Sequence, residues 1–217
     1  MESIVMLRIL CLFLLLVVQN SSLQASEAPR PVLVLGDSLS AAYGIPADSG
    51  WVNLLRVRLK ESSPARDVVN ASISGETTSG GLARIEKLLA DHKPALVLVE
   101  LGANDALRGL PLSTPKQNLA RIIGLAKDSG SAVLLIGTEI PTNYGPQYRD
   151  GLRDMYRDLA AEFNVPLVPF LLDGVALDDS LMQPDGLHPT AVAQRSVLEN
   201  VLPAVEKALK RGVGSRE

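Results

Sequence analysis

From Pro31 onward the chain alternates two kinds of hydrophobic signal: short, β-branched apolar runs without periodicity, and longer stretches in which apolar residues recur at helical spacing. The short runs are Val32–Leu35, Val68–Val69 leading into Ala71, Ala95–Leu101, Ala132–Ile136 and Pro166–Val168. A run with no polar side is a strand covered on both faces, and such strands belong to parallel sheets whose crossovers are helices. Between the runs, Trp51, Leu54, Leu55 and Leu59 fall on one helical stripe, as do Leu82, Ile85, Leu88 and Leu89, then Leu119, Ile122, Ile123 and Ala126. Tyr148, Leu152, Met155, Tyr156, Leu159 and Phe163 give the clearest period, and Val192–Leu209 closes the chain with a helix expected to kink at Pro203. Thr114-Pro115-Lys116-Gln117 reads as a helix start, with a cap, a first-turn proline and a capping-box glutamine. The expected fold is α/β, a parallel sheet of about five strands covered by helices on both faces, with no internal repeat and no linker.

The amino terminus stands apart from this pattern. Arg8 precedes an unbroken apolar run of about ten residues, Ile9–Val18, followed by polar and small residues to Ala25. A spanning helix needs roughly 20 residues, so residues 1–25 read as a secretory signal peptide cut before Ser26. Residues 26–217 are then one domain, exported to a periplasm or beyond. Cys11, the only cysteine, leaves with the leader, which removes disulfides, thiolate nucleophiles and cysteine metal ligands from consideration. The net charge of −3 and the absence of a basic cluster before the tail argue against nucleic acid as a partner.

In an open parallel sheet, ligands gather at the carboxyl ends of the strands, so chemistry is expected just after each apolar run. Ser38 follows the first run directly, within Gly36-Asp37-Ser38-Leu39-Ser40. Taken alone this is what turn and cap residues look like, and it is not the G-x-S-x-G elbow. A serine nucleophile near neutral pH needs a general base, and only two histidines are present. His92 enters a strand from its amino end, the wrong edge, whereas His188 lies in Pro184-Asp185-Gly186-Leu187-His188-Pro189 after the last strand. Asp185, three residues earlier with a glycine between, can fold back onto Nδ1 of His188, so one short motif supplies both base and orienter. Oxyanion donors are available from the amide of Ser38, from Gly75 after the second strand, and from the Asn104 carboxamide in Gly102-Ala103-Asn104-Asp105 after the third.

Gly36-Asp37-Ser38-Leu39, Gly75, Gly102-Ala103-Asn104-Asp105 and Asp185-Gly186-Leu187-His188 stand in the order of the sequence blocks of the SGNH, or GDSL-type, hydrolases, and the whole expected domain resembles that family. Gly50-Trp51 and Pro141-Thr142-Asn143-Tyr144-Gly145 bring it nearer to the periplasmic multifunctional thioesterase, arylesterase and lysophospholipase enzymes. The resemblance implies a three-layer flavodoxin-like fold with a Ser38–His188–Asp185 triad, an oxyanion site of Ser38, Gly75 and Asn104, and neither metal nor cofactor. One departure stands out: Thr138-Glu139 occupies positions where such relatives often carry Met and a basic or apolar residue, so substrate preference does not carry over. The expected substrate is a small acyl ester or thioester, met by a monomer with at most transient contact with membrane lipid. Leu107, Glu139 and Tyr144 are the candidate cleft residues. The rival readings are a carbohydrate O-deacetylase, weakened by a lone Trp that sits in a core stripe, and a non-catalytic exported binding protein, which leaves Ser38, Asn104 and His188 unexplained together.

Overall fold

The computed structural model describes residues 28–214. The segment read as a signal peptide lies outside the described residues. Five strands form one parallel sheet in the order β2-β1-β3-β4-β5: β1 Val32–Gly36, β2 Val68–Asn70, β3 Leu96–Glu100, β4 Ala132–Ile136 and β5 Leu167–Val168. They are the five runs seen in the sequence: β4 matches its run, β1 and β2 continue one residue further, and β3 and β5 are trimmed where the chain enters or leaves the ladder. The helices are α1 Trp51–Lys60, α2 Thr78–His92, α3 Ala103–Leu107, α4 Ser113–Asp128, α5 Pro146–Phe163 and α6 Gln194–Gly214, with Pro203 inside α6.

The alternation of side chains along each strand divides the core into two layers. Val32, Val34, Leu96, Leu98, Leu134 and Ile136 pack against α1 and α6. Leu33, Leu35, Val97, Val99, Val133 and Leu135 point the other way, into α2, α4 and α5. Burying one such side chain contributes about 1.5–3 kcal/mol, more than a hydrogen bond's net contribution of about 1 kcal/mol. The layers therefore hold the strand ends, and the residues beyond those ends are free to serve chemistry.

One local expectation fails. Thr114 does not cap α4: the helix begins at Ser113, Leu112 stands at its N-cap position with no side-chain bond, and the Thr114 N–H goes to the Pro111 carbonyl at 2.9 Å. Leu112 is already in helical conformation (φ −61, ψ −17), so carbonyls of the preceding turn satisfy the first N–H groups and no hydroxyl cap or partner glutamine is required.

The order 2-1-3-4-5 puts consecutive crossovers on opposite sides of β1, and the crevice between the carboxyl ends of β1 and β3 is the topological switch point where such sheets bind ligands. Ser38 follows β1 there, and Asn104 follows β3.

Candidate active site

The turn that carries Ser38 is built around a buried carboxyl. Gly36 and Glu100 are register partners on β1 and β3. A Cβ at Gly36 would meet Glu100 Oε2 and Ser40 Oγ at 2.8 Å, so only glycine leaves room. Glu100 Oε2 accepts from the Ser40 hydroxyl at 2.7 Å and from the Asp37 N–H at 3.3 Å, while Asp37 Oδ1 accepts from the Leu39 N–H at 3.0 Å. Both acids are buried. Burial pushes the Glu100 carboxyl well up, and the charge of Asp37 pushes it further against the opposing Ser40 bond. Burial likewise pushes Asp37 up to about 6, against the Leu39 N–H, the charge of His188 and the Asn104 amide.

His188 reaches the same point from the opposite side. Its Nε2 is 2.8 Å from Ser38 Oγ, and its Nδ1 is 2.7 Å from Asp185 Oδ2. An ionised carboxylate can only accept, so Nδ1 carries the ring proton and the Nε2 lone pair faces the hydroxyl. Asp185 is itself oriented by accepting the N–H groups of Leu187 and His188 at 2.9 and 3.0 Å, with Gly186 at φ +66 permitting the tight return. Burial pushes the Asp185 carboxyl up, but those two N–H groups and the bond to and charge of His188 outweigh it and hold the acid at about 2. The loop is anchored by Gln183 N–H to the His188 carbonyl (2.7 Å) and Thr190 N–H to the Leu181 carbonyl (2.7 Å). The ring of Tyr43 lies 4.4 Å from that of His188, centroid to centroid.

Three donors surround Ser38. Neither the Ser38 nor the Gly75 N–H has an acceptor among the described residues, and Gly75 adopts φ +76 with nothing near its missing side chain. Asn104, in the first turn of α3, gives one Nδ2 hydrogen to Asp37 Oδ2 at 3.0 Å, leaving the second for the cavity. Asp105 next to it is fully buried and accepts both the N–H (2.8 Å) and the hydroxyl (2.6 Å) of Thr78. Because Thr78 opens α2 just beyond the Gly75 loop, this clamp fixes two donor-bearing segments relative to each other.

Ser38, Gly75, Asn104 and His188 open onto a cavity of about 900 Å³. Of the expected cleft residues, Leu107 and Glu139 line it. Tyr144 does not: its ring packs on the core and its hydroxyl donates to the Leu107 carbonyl at 2.7 Å, so it braces the wall from behind. Leu112 also packs on the core. His92 ends α2 at the amino end of β3, away from the site. Sequence reasoning missed the wall after β5, where Phe170, Leu172 and Met182 face the cavity, and the arginines Arg149 and Arg153 of α5. The apolar stretch Phe170-Leu171-Leu172 after the fifth run was the available signal. Among the described residues no group of three or more His, Cys, Asp or Glu side chains could hold a metal ion.

The profile of the GDSL-like lipase/acylhydrolase family matches residues 34–195. The esterase TesA of Pseudomonas aeruginosa is 46% identical over 199 residues, covering 92% of this chain and 96% of that protein. Thioesterase 1/protease 1/lysophospholipase L1 of Escherichia coli K12 is 43% identical over 169 residues, covering 78% of this chain and 80% of that one. Among solved structures, that of TesA superposes with a TM-score of 0.78 at 48% identity, covering 82% of this chain and 99% of that chain.

Proposed function

This chain belongs to the GDSL-like lipase/acylhydrolase family and is a carboxylic ester hydrolase; from that premise we propose that Ser38 is its nucleophile, His188 its general base and Asp185 the orienter of His188. The observation that carries the assignment is the unbroken relay from Asp185 Oδ2 through His188 to Ser38 Oγ, with contacts of 2.7 and 2.8 Å, at the mouth of the cavity. As Ser38 Oγ attacks the acyl carbonyl, His188 Nε2 takes its proton, and the carbonyl oxygen becomes an oxyanion facing the N–H groups of Ser38 and Gly75 and the free Asn104 hydrogen. His188 then returns the proton to the leaving alkoxide or thiolate as the tetrahedral intermediate collapses to an acyl-enzyme. Water, deprotonated by the same imidazole, releases the acid. The donors are aimed before the reaction begins, which is where such sites gain most of their rate.

Thioesters and lysophospholipids fall within the proposed range, since the same relay expels a thiolate or a glycerophosphoryl alcohol. The signal-peptide reading of residues 1–25 supports action after export, by residues 26–217 as one monomeric domain.

Purified protein and its Ser38→Ala variant, assayed on p-nitrophenyl esters from acetate to palmitate and on an acyl-thioester, test the reading. Hydrolysis and labelling by a fluorophosphonate are both expected to disappear in Ser38→Ala, with a loss on the order of 10⁴-fold or more. Turnover surviving at wild-type rate in the variant would refute the mechanism.

A further inference from the structure

All five strand ends feed the cavity, and one of its walls is out of keeping with an acyl site. Directly after β4, Glu139 projects into the cavity lining together with Arg149 and Arg153 from α5. Arg153 grips the Glu139 carboxylate with two nitrogens, Nε to Oε1 and Nη2 to Oε2, the latter at 3.1 Å. Arg149 adds a contact of 3.4 Å to Oε2 and donates its Nε to the Ile140 carbonyl at 3.0 Å. Arg153 also holds Asp150 from the outside. The Glu139 and Arg149 side chains are 22% and 24% exposed and that of Arg153 36%, so the cluster is a half-buried part of the wall.

Resting on the serine esterase reading above, we propose that the Glu139–Arg153–Arg149 cluster is a specificity element that favours short acyl chains over long ones. β1, which carries Ser38, and β4, which carries Glu139, are two strand spacings apart, about 10 Å. A butyryl chain on Ser38 ends short of that wall, whereas a lauroyl chain running along it must cover it. An apolar wall would reward every methylene laid against it, by about four-fold in kcat/KM for full burial. The ion-paired wall gives no such gain. The tail must also strip water from charges that remain partly hydrated, and their existing partners cannot compensate because every donor of Arg153 that faces Glu139 is already engaged. The cluster is not a receptor for an anionic substrate, for the same reason: Glu139 and Asp150 take up its positive charge, and Asp173 and Asp178 add negative charge elsewhere on the lining.

The test replaces Glu139 together with Arg153, because removing Glu139 alone would strand the arginine that grips it with two nitrogens, whereas Arg149 keeps its bond to the Ile140 carbonyl. In Glu139→Leu/Arg153→Leu, the ratio of kcat/KM for p-nitrophenyl laurate to that for p-nitrophenyl butyrate is expected to rise at least ~10-fold over wild type, as several methylenes gain an apolar surface. The charge-swapped Glu139→Arg/Arg153→Glu, which keeps an ion pair, is expected to retain the wild-type ratio. Thermal melts of both variants and fluorophosphonate labelling of Ser38 establish that the proteins compared are folded and have a live nucleophile. A laurate-to-butyrate ratio unchanged in the leucine pair, in a protein that still labels and turns over butyrate, overturns the proposal and assigns the acyl tail to the Phe170–Met182 side. A leucine pair that fails to fold leaves the decision to the swap, whose ratio must then stay at the wild-type value, any rise toward laurate overturning the proposal. Absence of hydrolysis and labelling in the wild-type protein would instead sink the esterase mechanism on which the proposal stands.

Discussion

The two halves of the site are built on opposite plans. On the Ser38 side, Asp37, Glu100, Asp105 and Thr78 are all buried, and the bonds from Ser40 to Glu100, from Thr78 to Asp105 and from Asn104 to Asp37 cross between sequence-distant elements. On the His188 side, base and orienter lie three residues apart on a loop, and the Asp185 side chain is 38% exposed. The aspartate of each half titrates in the opposite direction, Asp37 pushed up to about 6 by burial and Asp185 held at about 2 by its hydrogen bonds. The contrast follows from what each half does. The oxyanion donors must be fixed before charge develops, and fixing them uses core packing. The imidazole needs only the right tautomer and direction, which a local motif provides.

If that division is correct, damage to the loop costs activity far more than stability. His188→Ala is expected to lower kcat on the order of 10⁶-fold, and Asp185→Asn on the order of 10⁴-fold by leaving the imidazole in the wrong tautomer. Urea unfolding at neutral pH should cost each variant no more than about 2 kcal/mol, because the loop is partly exposed and its bonds are local. A large loss of stability in either variant would show that the loop is part of the scaffold and break the comparison.

Smaller effects are expected on the buried side, and they come with a pH signature. Asn104→Ala should lower kcat by about 10²- to 10³-fold through loss of one oxyanion donor. Asp37→Asn, which keeps an oxygen able to face Asn104, should cost less. The folded-state value of Asp37 lies above its ordinary 3.8, so its contribution to stability is complete below that value and is lost as pH rises through about 6. Glu100, also pushed up, acts with the same sign. Asp185 does the reverse, its contribution being present above 3.8 and lost as pH falls toward about 2. Acidification from pH 6 to 4 is therefore expected to raise the urea midpoint through Asp37 while lowering kcat, because the new proton replaces an acceptor that holds Asn104 or Leu39. In Asp37→Asn the midpoint should lose part of this slope, and an unchanged slope would remove Asp37 from the account.

The same division explains what the sequence disclosed. The five runs and the helical stripes were legible because a sheet covered on both faces leaves no polar period in its strands. Asp185 and His188 were legible because their interaction is local. Glu100 was in plain view inside the run Ala95–Leu101, yet its role depends on lying beside Gly36, a register that only the assembled sheet creates. The same holds for Arg149 and Arg153, whose helical stripe identifies α5 but not the partner its other face meets. Tyr144 was misread for a related reason: an aromatic in a loop after a strand looks like a cleft residue until its hydroxyl is found on the Leu107 carbonyl. Thr114 failed because a cap motif competes with whatever the preceding turn already supplies.

The weakest expected effect lies where the two plans meet, at the clamp between α2 and α3. The Thr78 hydroxyl donates to Asp105 at 2.6 Å and accepts from the Asn118 amide at 3.0 Å, inside a fully buried environment. Thr78→Val keeps the shape and the N–H bond to Asp105 but removes the hydroxyl, leaving a buried carboxylate oxygen short of a donor. A cost of about 1–3 kcal/mol is expected, or a fall of several degrees in Tm at about 2–4 °C per kcal/mol for a chain of this size. Activity should decline by less than about ten-fold, since one oxyanion donor removed outright costs 10²-fold or more and here the Gly75 segment is only loosened. A drop in Tm with kcat untouched would mean that the clamp serves the fold alone and that Gly75 is held by its own loop. A drop in kcat with Tm untouched would mean that the rigidity of the buried half is local to the oxyanion donors, and the line drawn here between scaffold and chemistry would have to move inward to Asp37 and Glu100.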